Sequence, residues 1–319
     1  MIKEIVTVLF LGSYSIGKKV FGLSSSHHFT QRRTLKMKKK RKPLISPKTL
    51  PLLLLLLLFG LLLPQTASAK TTSRTLNGYI QKAKSGRVII AYNPNQTGVS
   101  VYAKASRKST RYGVLGFGDA VVVNASKLKY NKKYSWLPVY QYGTKNTKGQ
   151  TVTGYIQLSG VKMVTLNTKK YSSNRTIHNA IKTGMKYLGT TFVLGGSSFT
   201  SGIDCSNFVG KCFAAAGKKL VSWNHTSTLE NVSRQIFWHK TNTPLTQKEL
   251  NKMKPGDLLF YLKNDTSGPI DHVAIYIGKG LMINASGHYG ENYPSGGICI
   301  KRVQYGKRYM VLCKRINGF

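Results

Sequence analysis

Acidic side chains are scarce in this sequence, which has 9 Asp and Glu against 49 Lys and Arg among 319 residues. The formal net charge of +40 implies a polyanionic neighbour. Long apolar runs are also lacking. The longest, residues 50–63, falls short of the roughly 18 residues of a membrane-spanning helix, which excludes a polytopic membrane protein. There is no Gly-x-y repeat of collagen, and a hydrophobic content of 41% is too high for a disordered chain.

Cysteine is also rare, with four residues: Cys205, Cys212, Cys299 and Cys313. That number does not indicate a disulfide scaffold in a chain long enough to build an apolar core. Whether Cys299 and Cys313 face each other depends on the turn between their strands, so their pairing stays open. No Cys or His pair has the spacing of metal ligands, and no Gly-rich loop has the pattern of a phosphate-binding loop. We therefore expect no metal and no cofactor.

Residues 37–69 have the pattern of a secretory signal peptide. A basic stretch follows Met37, the apolar run 50–63 comes next, and small residues around Ala69 mark a cleavage site. The alternative is an uncleaved membrane anchor. Residues 1–36 do not fit a signal peptide and are interpreted as a mis-assigned or extra extension. We expect a secreted protein without an integral membrane anchor.

The chain after the predicted cleavage site, residues 70–319, keeps 37 basic and 8 acidic residues, a formal charge of +29. These basic residues are spread along the chain instead of being gathered in one recognition helix. That spread favours general electrostatic attraction over sequence readout of nucleic acid. For an exported protein an anionic cell envelope is the better partner, and no nucleic acid is expected.

The segment 85–165 is predicted to be all-β. It follows a polar stretch, 70–84, interpreted as a tether, and its short β-branched and aromatic runs are separated by Gly and Asn-rich turns. The order of its last runs resembles a bacterial SH3-like wall-targeting domain, which implies a small all-β barrel. Tyr102, Trp136 and Tyr140 are candidates for a binding groove, although for any one of them a place in the barrel core is favoured.

Residues 166–175 are predicted to form a linker, and 176–319 an α+β domain. Apolar residues from Ile177 to Leu188 follow a helical period, with Thr176 and Gly189 as caps. A second helix is predicted to open at Asp204 and to close at Gly217. Strand-like runs follow, so the domain combines helices with an antiparallel sheet.

Cys205 is the candidate nucleophile because it lies at the predicted start of that second helix. Backbone N–H groups and the helix dipole stabilise a thiolate there, and the same N–H groups can hold a developing oxyanion. Cys212 lies two turns deeper on the apolar face and is interpreted as a buried structural residue.

His272 is the candidate base, and Asn284 the residue that orients it. A three-residue turn at 278–280 would place Ala274 opposite Asn284, which makes His272 and Asn284 diagonal neighbours on one face. A two-residue turn would break this arrangement. An Asn that accepts a hydrogen bond from one imidazole nitrogen leaves the other to face the thiol.

These residues belong to blocks that resemble the NlpC-type cysteine peptidases, papain-like hydrolases of bacterial cell-wall peptides. The blocks occur in order within the predicted domain 176–319, at residues 192–196, 202–209, 254–260, 271–278 and 282–286. The resemblance implies a papain-like fold for 176–319, with Cys205 as nucleophile and His272 as base. Asn284 stands where the family has a third polar residue, most often His.

The resemblance also implies substrate contacts from Asp204, Ser206, Phe192 and Asp271. Phe192 departs from the family, which usually has Tyr at this position with its hydroxyl near the nucleophile. Part of the oxyanion or substrate contact is therefore expected to be missing or served by another donor.

The function expected from the resemblance is that of an exported peptidoglycan hydrolase. It would cleave amide bonds of the stem peptides, between γ-D-glutamate and a diamino acid, through an acyl-enzyme, while anionic wall polymers bind its basic surface. The alternatives are a cell-wall amidase on the same site and a non-catalytic wall-binding protein with a degenerate catalytic domain. The further hypothesis of an exported nucleic-acid binder is based on charge alone.

Overall fold

The computed structural model describes residues 73–262, 268–287, 290–306, 308 and 311–319. The predicted extension 1–36 and signal peptide 37–69 lie outside the described residues. The helices of the described ranges are all too short or too polar to cross a membrane.

The described part of the chain alternates short helices with strands. Its helices are α1 (Asn77–Lys84), α2 (Arg175–Lys186), α3 (Cys205–Ala215), α4 (Thr226–Asn231) and α5 (Gln247–Lys252). Its strands are β1 (Arg74–Thr75), β2 (Arg87–Tyr92), β3 (Val99–Tyr102), β4 (Arg111–Leu115), β5 (Asp119–Val122), β6 (Lys133–Tyr134), β7 (Trp136–Lys145), β8 (Thr151–Gln157), β9 (Lys162–Asn167), β10 (Ser197–Ser198), β11 (Gly202–Ile203), β12 (Ser233–His239), β13 (Leu258–Leu262), β14 (Ile270–Gly278), β15 (Leu281–Ser286), β16 (Gly297–Arg302) and β17 (Val311–Ile316).

The strands form an antiparallel main sheet in the order β12-β17-β13-β14-β15-β16-β5-β2-β9, and a smaller one in the order β4-β3-β8-β7. The predicted combination of helices with antiparallel sheet is confirmed. The main sheet contains strands from both 85–165 and 176–319. The two segments meet where β16 pairs with β5, with Ile300 opposite Ala120 and Lys301 opposite Asp119.

A buried ion pair fixes this joint. Lys301 Nζ lies 2.5 Å from Asp119 Oδ1, and both side chains are 0% exposed. The ammonium also donates to Ser295 O at 2.6 Å, and the second oxygen of Asp119 accepts from Gly116 N at 2.8 Å. These extra partners matter because a charge removed from water is tolerated only when it is paired and hydrogen-bonded.

The strands predicted in 85–165 are present with shifts of a few residues at their ends. Apolar residues of the two sheets, among them Val101, Leu137 and Val139, are fully buried between them. The aromatic residues Tyr102 and Trp136 are half-buried and meet edge to face, with ring centroids 5.7 Å apart. Tyr140 is half-buried as well. The alternation of strand residues therefore buries the β-branched side chains more deeply than the aromatic candidates.

The stretch interpreted as a tether is ordered where the structure describes it. Residues 74–75 form β1 and residues 77–84 form α1, which packs Leu76 and Ile80 into the core of the N-terminal segment. Tyr79 adds a hydrogen bond from its hydroxyl to Met163 O at 3.0 Å. Two buried apolar residues four positions apart are too weak a pattern to reveal a helix in a polar sequence.

The two predicted helices are present as α2 and α3, and they cover one face of the main sheet. Asn174, not Thr176, caps α2, because its side chain accepts from Ile177 N at 3.1 Å. The core beneath them includes Phe208 of α3 and Ile283 of β15, together with Ile90 and Val122 from the N-terminal segment. One core thus joins both segments. The boundary at 166–175 stays a prediction.

Three elements between α3 and β13 are missing from the expectation: α4, β12 and α5. Both helices have six residues and open with a capping box, in which Thr246 and Glu249 of α5 bond each other's backbone N–H groups. The capping box of α5 can be recognised in the sequence as Thr-x-x-Glu. Both helices are too short and have too few apolar residues for a helical period to predict them.

We expect Lys301→Met to destabilise the protein by about 3–5 kcal/mol, because it leaves the Asp119 carboxylate buried without its partner. Urea unfolding measures this. Lys314→Met is the matched control, since Lys314 also lies on a sheet strand but forms a longer, partly exposed pair with Glu230 at 3.5 Å. Its loss should stay below about 1 kcal/mol. Equal losses in the two variants would contradict the importance of the buried pair.

Candidate active site

Cys205 occupies the first position of α3. The preceding residue, Asp204, has an extended backbone and caps the helix by accepting from Asn207 N at 2.7 Å. Gly202, the first residue of β11, has a φ of +142°, a conformation open to glycine, and an added Cβ there would clash with Val193. The first N–H groups of a helix have no acceptor within it, so this placement directs backbone donors toward the thiol.

Asp204 and Ser206, two of the predicted substrate contacts, flank Cys205 but are bonded within the protein. Ser206 Oγ lies 3.0 Å from Asp204 Oδ1 and 3.1 Å from Asn224 O. Asn207 Nδ2 donates to Asp204 Oδ2 at 3.2 Å. Their described contacts hold the helix start and the loop at Asn224 together.

The thiol of Cys205 contacts both chain neighbours of His272. Its Sγ donates to Asp271 O at 3.8 Å, and the backbone N–H of Val273 is a donor to the sulfur. The pKa of the thiol is raised to about 11, chiefly by burial and also by the charges of Asp204 and Asp271. The N–H groups of Val273 and Ser206 oppose them. The resting side chain is therefore a neutral thiol at neutral pH.

His272 and Asn284 are hydrogen-bonded, as the sequence predicted from their positions. His272 Nε2 lies 3.0 Å from Asn284 Oδ1, and Asn284 is fully buried. Asn284 Nδ2 donates to Cys299 O at 3.1 Å, which orients the amide with its oxygen toward the imidazole. A proton on Nε2 then puts the basic lone pair of neutral His272 on Nδ1.

The turn that sets this register differs from the expected one. Gly278 pairs with Leu281, so the loop has two residues, Lys279 and Gly280, both with positive φ. The expectation that a two-residue turn breaks the arrangement is wrong. A bulge between Tyr276 and Gly278 absorbs the extra residue, and Ile275 opposite Ile283 keeps the register that the sequence predicted.

Asp271 and Phe192, the other predicted substrate contacts, lie on different elements. Asp271 opens β14 beside His272, and its Oδ1 accepts from Arg308 Nη1 at 3.2 Å. Phe192 is half-buried and bridges Ile203, two residues before Cys205. Its ring packs on Gly287, where an added Cβ would come within 2.7 Å of the ring.

Several residues near the site were missed. Leu194 is 87% and Trp223 68% exposed, the two largest values among the exposed large hydrophobic residues. Both lie on loops bonded to the start of α3, through Gly196 O and Asn224 O. Tyr261 packs beside His272, with ring centroids 5.9 Å apart. The sequence contains this Trp, but only the fold shows that it is exposed and that its loop is bonded to the helix start of the candidate nucleophile.

The other cysteines are separate from this arrangement. All four thiols are free, so Cys299 and Cys313 are unpaired with each other. Cys212 is fully buried in α3, as expected. In the parts of the chain that the structure describes, no group of three His, Cys, Asp or Glu side chains is arranged to hold a metal ion.

Comparison with known proteins places the candidate site inside a family domain. Residues 189–305 match the NlpC/P60 family, and this range contains Cys205, His272 and Asn284. The bifunctional muramidase/DL-endopeptidase CwlT of Bacillus subtilis is 29% identical over 176 residues, which are 54% of this chain and 48% of that protein. A gamma-D-glutamyl-L-lysine dipeptidyl-peptidase of Bacillus subtilis is 33% identical over 110 residues, 34% of this chain and 32% of that protein.

Among solved structures, an NlpC/P60 family protein from Bacillus cereus aligns with 75% of this chain and 66% of its own. The identity is 15% and the TM-score 0.33. This chain spans less than half the length of either Bacillus subtilis relative. The resemblance on which the site was predicted is confirmed over residues 189–305, which match the NlpC/P60 family.

Proposed function

We propose that this protein is an exported peptidoglycan hydrolase that cleaves amide bonds of the stem peptides through Cys205, His272 and Asn284. The observation that carries the proposal is the 3.0 Å hydrogen bond between His272 and Asn284 next to a thiol at a helix start. A cysteine nucleophile needs a base and a group that orients the base. The relatives named DL-endopeptidase and dipeptidyl-peptidase support the same chemistry.

The reaction begins with proton transfer from Cys205 Sγ to His272 Nδ1. The sulfur then forms a bond to the amide carbonyl carbon, and the carbonyl oxygen takes up the negative charge. Backbone N–H groups at the first turn of α3 are the nearest donors for that oxyanion. When the C–N bond breaks, the leaving amine takes the proton from His272. Water then attacks the thioester, with His272 as base, and releases the carboxylic acid and the free thiol.

Asn284 makes this cycle possible by holding His272 in one orientation and one tautomer. Its oxygen also stabilises the imidazolium that forms when His272 accepts the proton from the thiol. Stabilising the imidazolium is important because the thiol pKa is about 11, so the thiolate forms only as His272 takes its proton.

The scissile bond is proposed to join γ-D-glutamate to the amine of a diamino acid. A relative named gamma-D-glutamyl-L-lysine dipeptidyl-peptidase supports this specificity. Leu194 and Trp223 are exposed apolar side chains on the two loops bonded to the start of α3, and we propose that they contact the peptide on either side of that bond.

We propose that residues 85–165 are an SH3-like domain that binds the wall, and that residues 37–69 direct export. The four-stranded antiparallel sheet of this segment and the predominance of basic residues support wall binding. Anionic wall polymers are the proposed partners of the basic surface.

One observation favours a second candidate, a wall-binding protein with weak or no catalysis. Phe192 lies where the family resemblance implies a tyrosine hydroxyl near the nucleophile, so this chain lacks that donor. An amidase acting on another bond through the same residues is the alternative within enzymes, and the reaction products separate it from the endopeptidase.

We expect Cys205→Ala to abolish the release of peptide fragments from purified sacculi, because it removes the proposed nucleophile and the adjacent Ser206 hydroxyl is bonded to Asp204 and Asn224. Mass spectrometry of the fragments measures this and identifies the bond. Cys212→Ala, a change in the same helix away from the site, should retain activity. Fragments ending in γ-D-glutamate support the endopeptidase, whereas none from the wild-type protein would support the non-catalytic candidate.

The reaction of Cys205 with iodoacetamide should accelerate about tenfold per pH unit between pH 7 and pH 10. Only the thiolate reacts, and a pKa of about 11 keeps its fraction small and rising over that range. Mass spectrometry of the Cys205 peptide gives the rate, with glutathione as a control that levels off near its own lower pKa. A rate that is already constant around neutral pH would reveal a resting thiolate–imidazolium pair instead.

Asn284→Ala should reduce kcat by about 10- to 100-fold, the loss of one hydrogen bond to a charged group. Asn284→Asp keeps the shape and the oxygen acceptor, and it should lose less than Asn284→Ala. Turnover of a soluble stem peptide gives kcat, and the melting temperatures of both variants control for the buried position. Unchanged turnover in a folded Asn284→Ala would show that His272 needs no such partner.

A further inference from the structure

Three hollows lie in series around the Lys279–Gly280 turn, away from the candidate active site. The first, of about 270 Å³, shares Leu250 and Arg302 with the second, of about 380 Å³. The second shares Lys279 with the third, of about 170 Å³. The three hollows are therefore neighbours in a row, and we call them together the basic groove.

Five cationic side chains line the basic groove: Arg87, Lys162, Lys170, Lys279 and Arg302. None of the described residues that line it is acidic. Two carboxylates of neighbouring elements are already engaged, since Asp119 pairs with Lys301 and Asp257 with Arg315. The positive charge of the groove is therefore not offset by its own lining.

Arg302 is held in place at the centre of the groove. Its guanidinium lies 4.8 Å above the ring of Tyr92, and its Nη1 donates to Lys279 O at 3.1 Å. A guanidinium fixed in this way loses less conformational freedom when it binds an anion, and its fork of donors matches phosphate oxygens. This preorganised cation distinguishes the groove from a scatter of flexible surface lysines.

The basic groove exists only because the main sheet joins the two segments. Arg87 and Lys162 lie on β2 and β9, whereas Lys279 and Arg302 follow β14 and end β16. His272 lies near the other end of β14, six residues from Gly278, which is about 20 Å along a strand. A polymer in the groove would therefore leave the candidate active site open.

We propose that the basic groove binds a linear, phosphate-containing polymer of the cell wall and holds the enzyme on its substrate. The proposal rests on the proposed function for its location in the wall, but the binding itself needs no catalysis. A linear polyanion fits because the cations line hollows that lie in a row, and phosphate fits because a fixed arginine is at the centre of the groove.

The test compares two variants that lose the same charge. The groove variant combines Lys162→Gln, Lys279→Gln and Arg302→Gln. The control variant combines Lys218→Gln, Lys219→Gln and Arg234→Gln, at exposed positions outside both the groove and the segment 85–165. Sodium polyphosphate is the soluble probe, and purified walls with and without their phosphodiester polymers are the solid one. Affinity is measured at several salt concentrations.

We expect the groove variant to bind polyphosphate about 10- to 100-fold more weakly than wild type, and the control variant to change less than about threefold. The slope of log K against log salt concentration should become less steep by about 2 to 3 in the groove variant only. Each phosphate contact that is lost no longer contributes released counterions to binding. Wall binding should depend on the phosphodiester polymers. Lys162→Glu with Lys279→Glu, which leaves Arg302 in place, repeats the test if the triple variant does not fold.

Equal losses in the groove and control variants would overturn the proposal in favour of diffuse surface charge. Tighter binding of a single-stranded oligonucleotide than of polyphosphate would overturn the assignment to a wall polymer. Cleavage of a soluble stem peptide by the groove variant, and polyphosphate binding by Cys205→Ala, keep the failure of this proposal distinct from a failure of the proposed function.

Discussion

The pairing of β16 with β5 is the constraint on which the rest of the structure depends. It makes the main sheet continuous across both segments, and the buried Lys301–Asp119 pair specifies that joint. An ion pair without solvent tolerates little displacement, because its attraction must offset the cost of removing both charges from water. The pairing therefore fixes β16 on one side to the N-terminal segment and on the other to β15, the strand of Asn284.

The candidate site follows from sheet register in the same way. Asn284 meets His272 across one strand pair and the Cys299 carbonyl across the next, so three adjacent strands determine one imidazole orientation. A slip of one residue would turn the His272 or the Asn284 side chain to the opposite face. The site is thus held by backbone pairing, and α3 only has to bring Cys205 to the start of β14.

The sequence predicts local features of this arrangement well and long-range ones poorly. The start of α3 at Cys205 is legible because a Gly-rich loop, an N-cap Asp and an apolar face coincide. The register of His272 and Asn284 is predicted correctly although the predicted length of the turn is wrong. A bulge compensates for the missing loop residue. The helix at 77–84 is not predicted because Ile80 is the only residue that it buries, and the joint at Lys301 is not predicted because its partner lies 182 positions away.

Charge and chemistry are separated along β14, and this separation is consistent with one physical requirement. A hydrolase of an insoluble polymer gains from staying near its substrate, but a cation next to its base would oppose the protonation of that base. Here His272 lies at one end of the strand among Tyr261, Asn284 and the thiol, where the nearby cation Arg308 is paired with the Asp271 carboxylate. The cations of the basic groove lie toward the turn at the other end. At about 20 Å and physiological salt the field of the groove is largely screened at the imidazole. One end of β14 can then help to hold the enzyme on an anionic polymer while the other end takes part in proton transfer, and neither process disturbs the other.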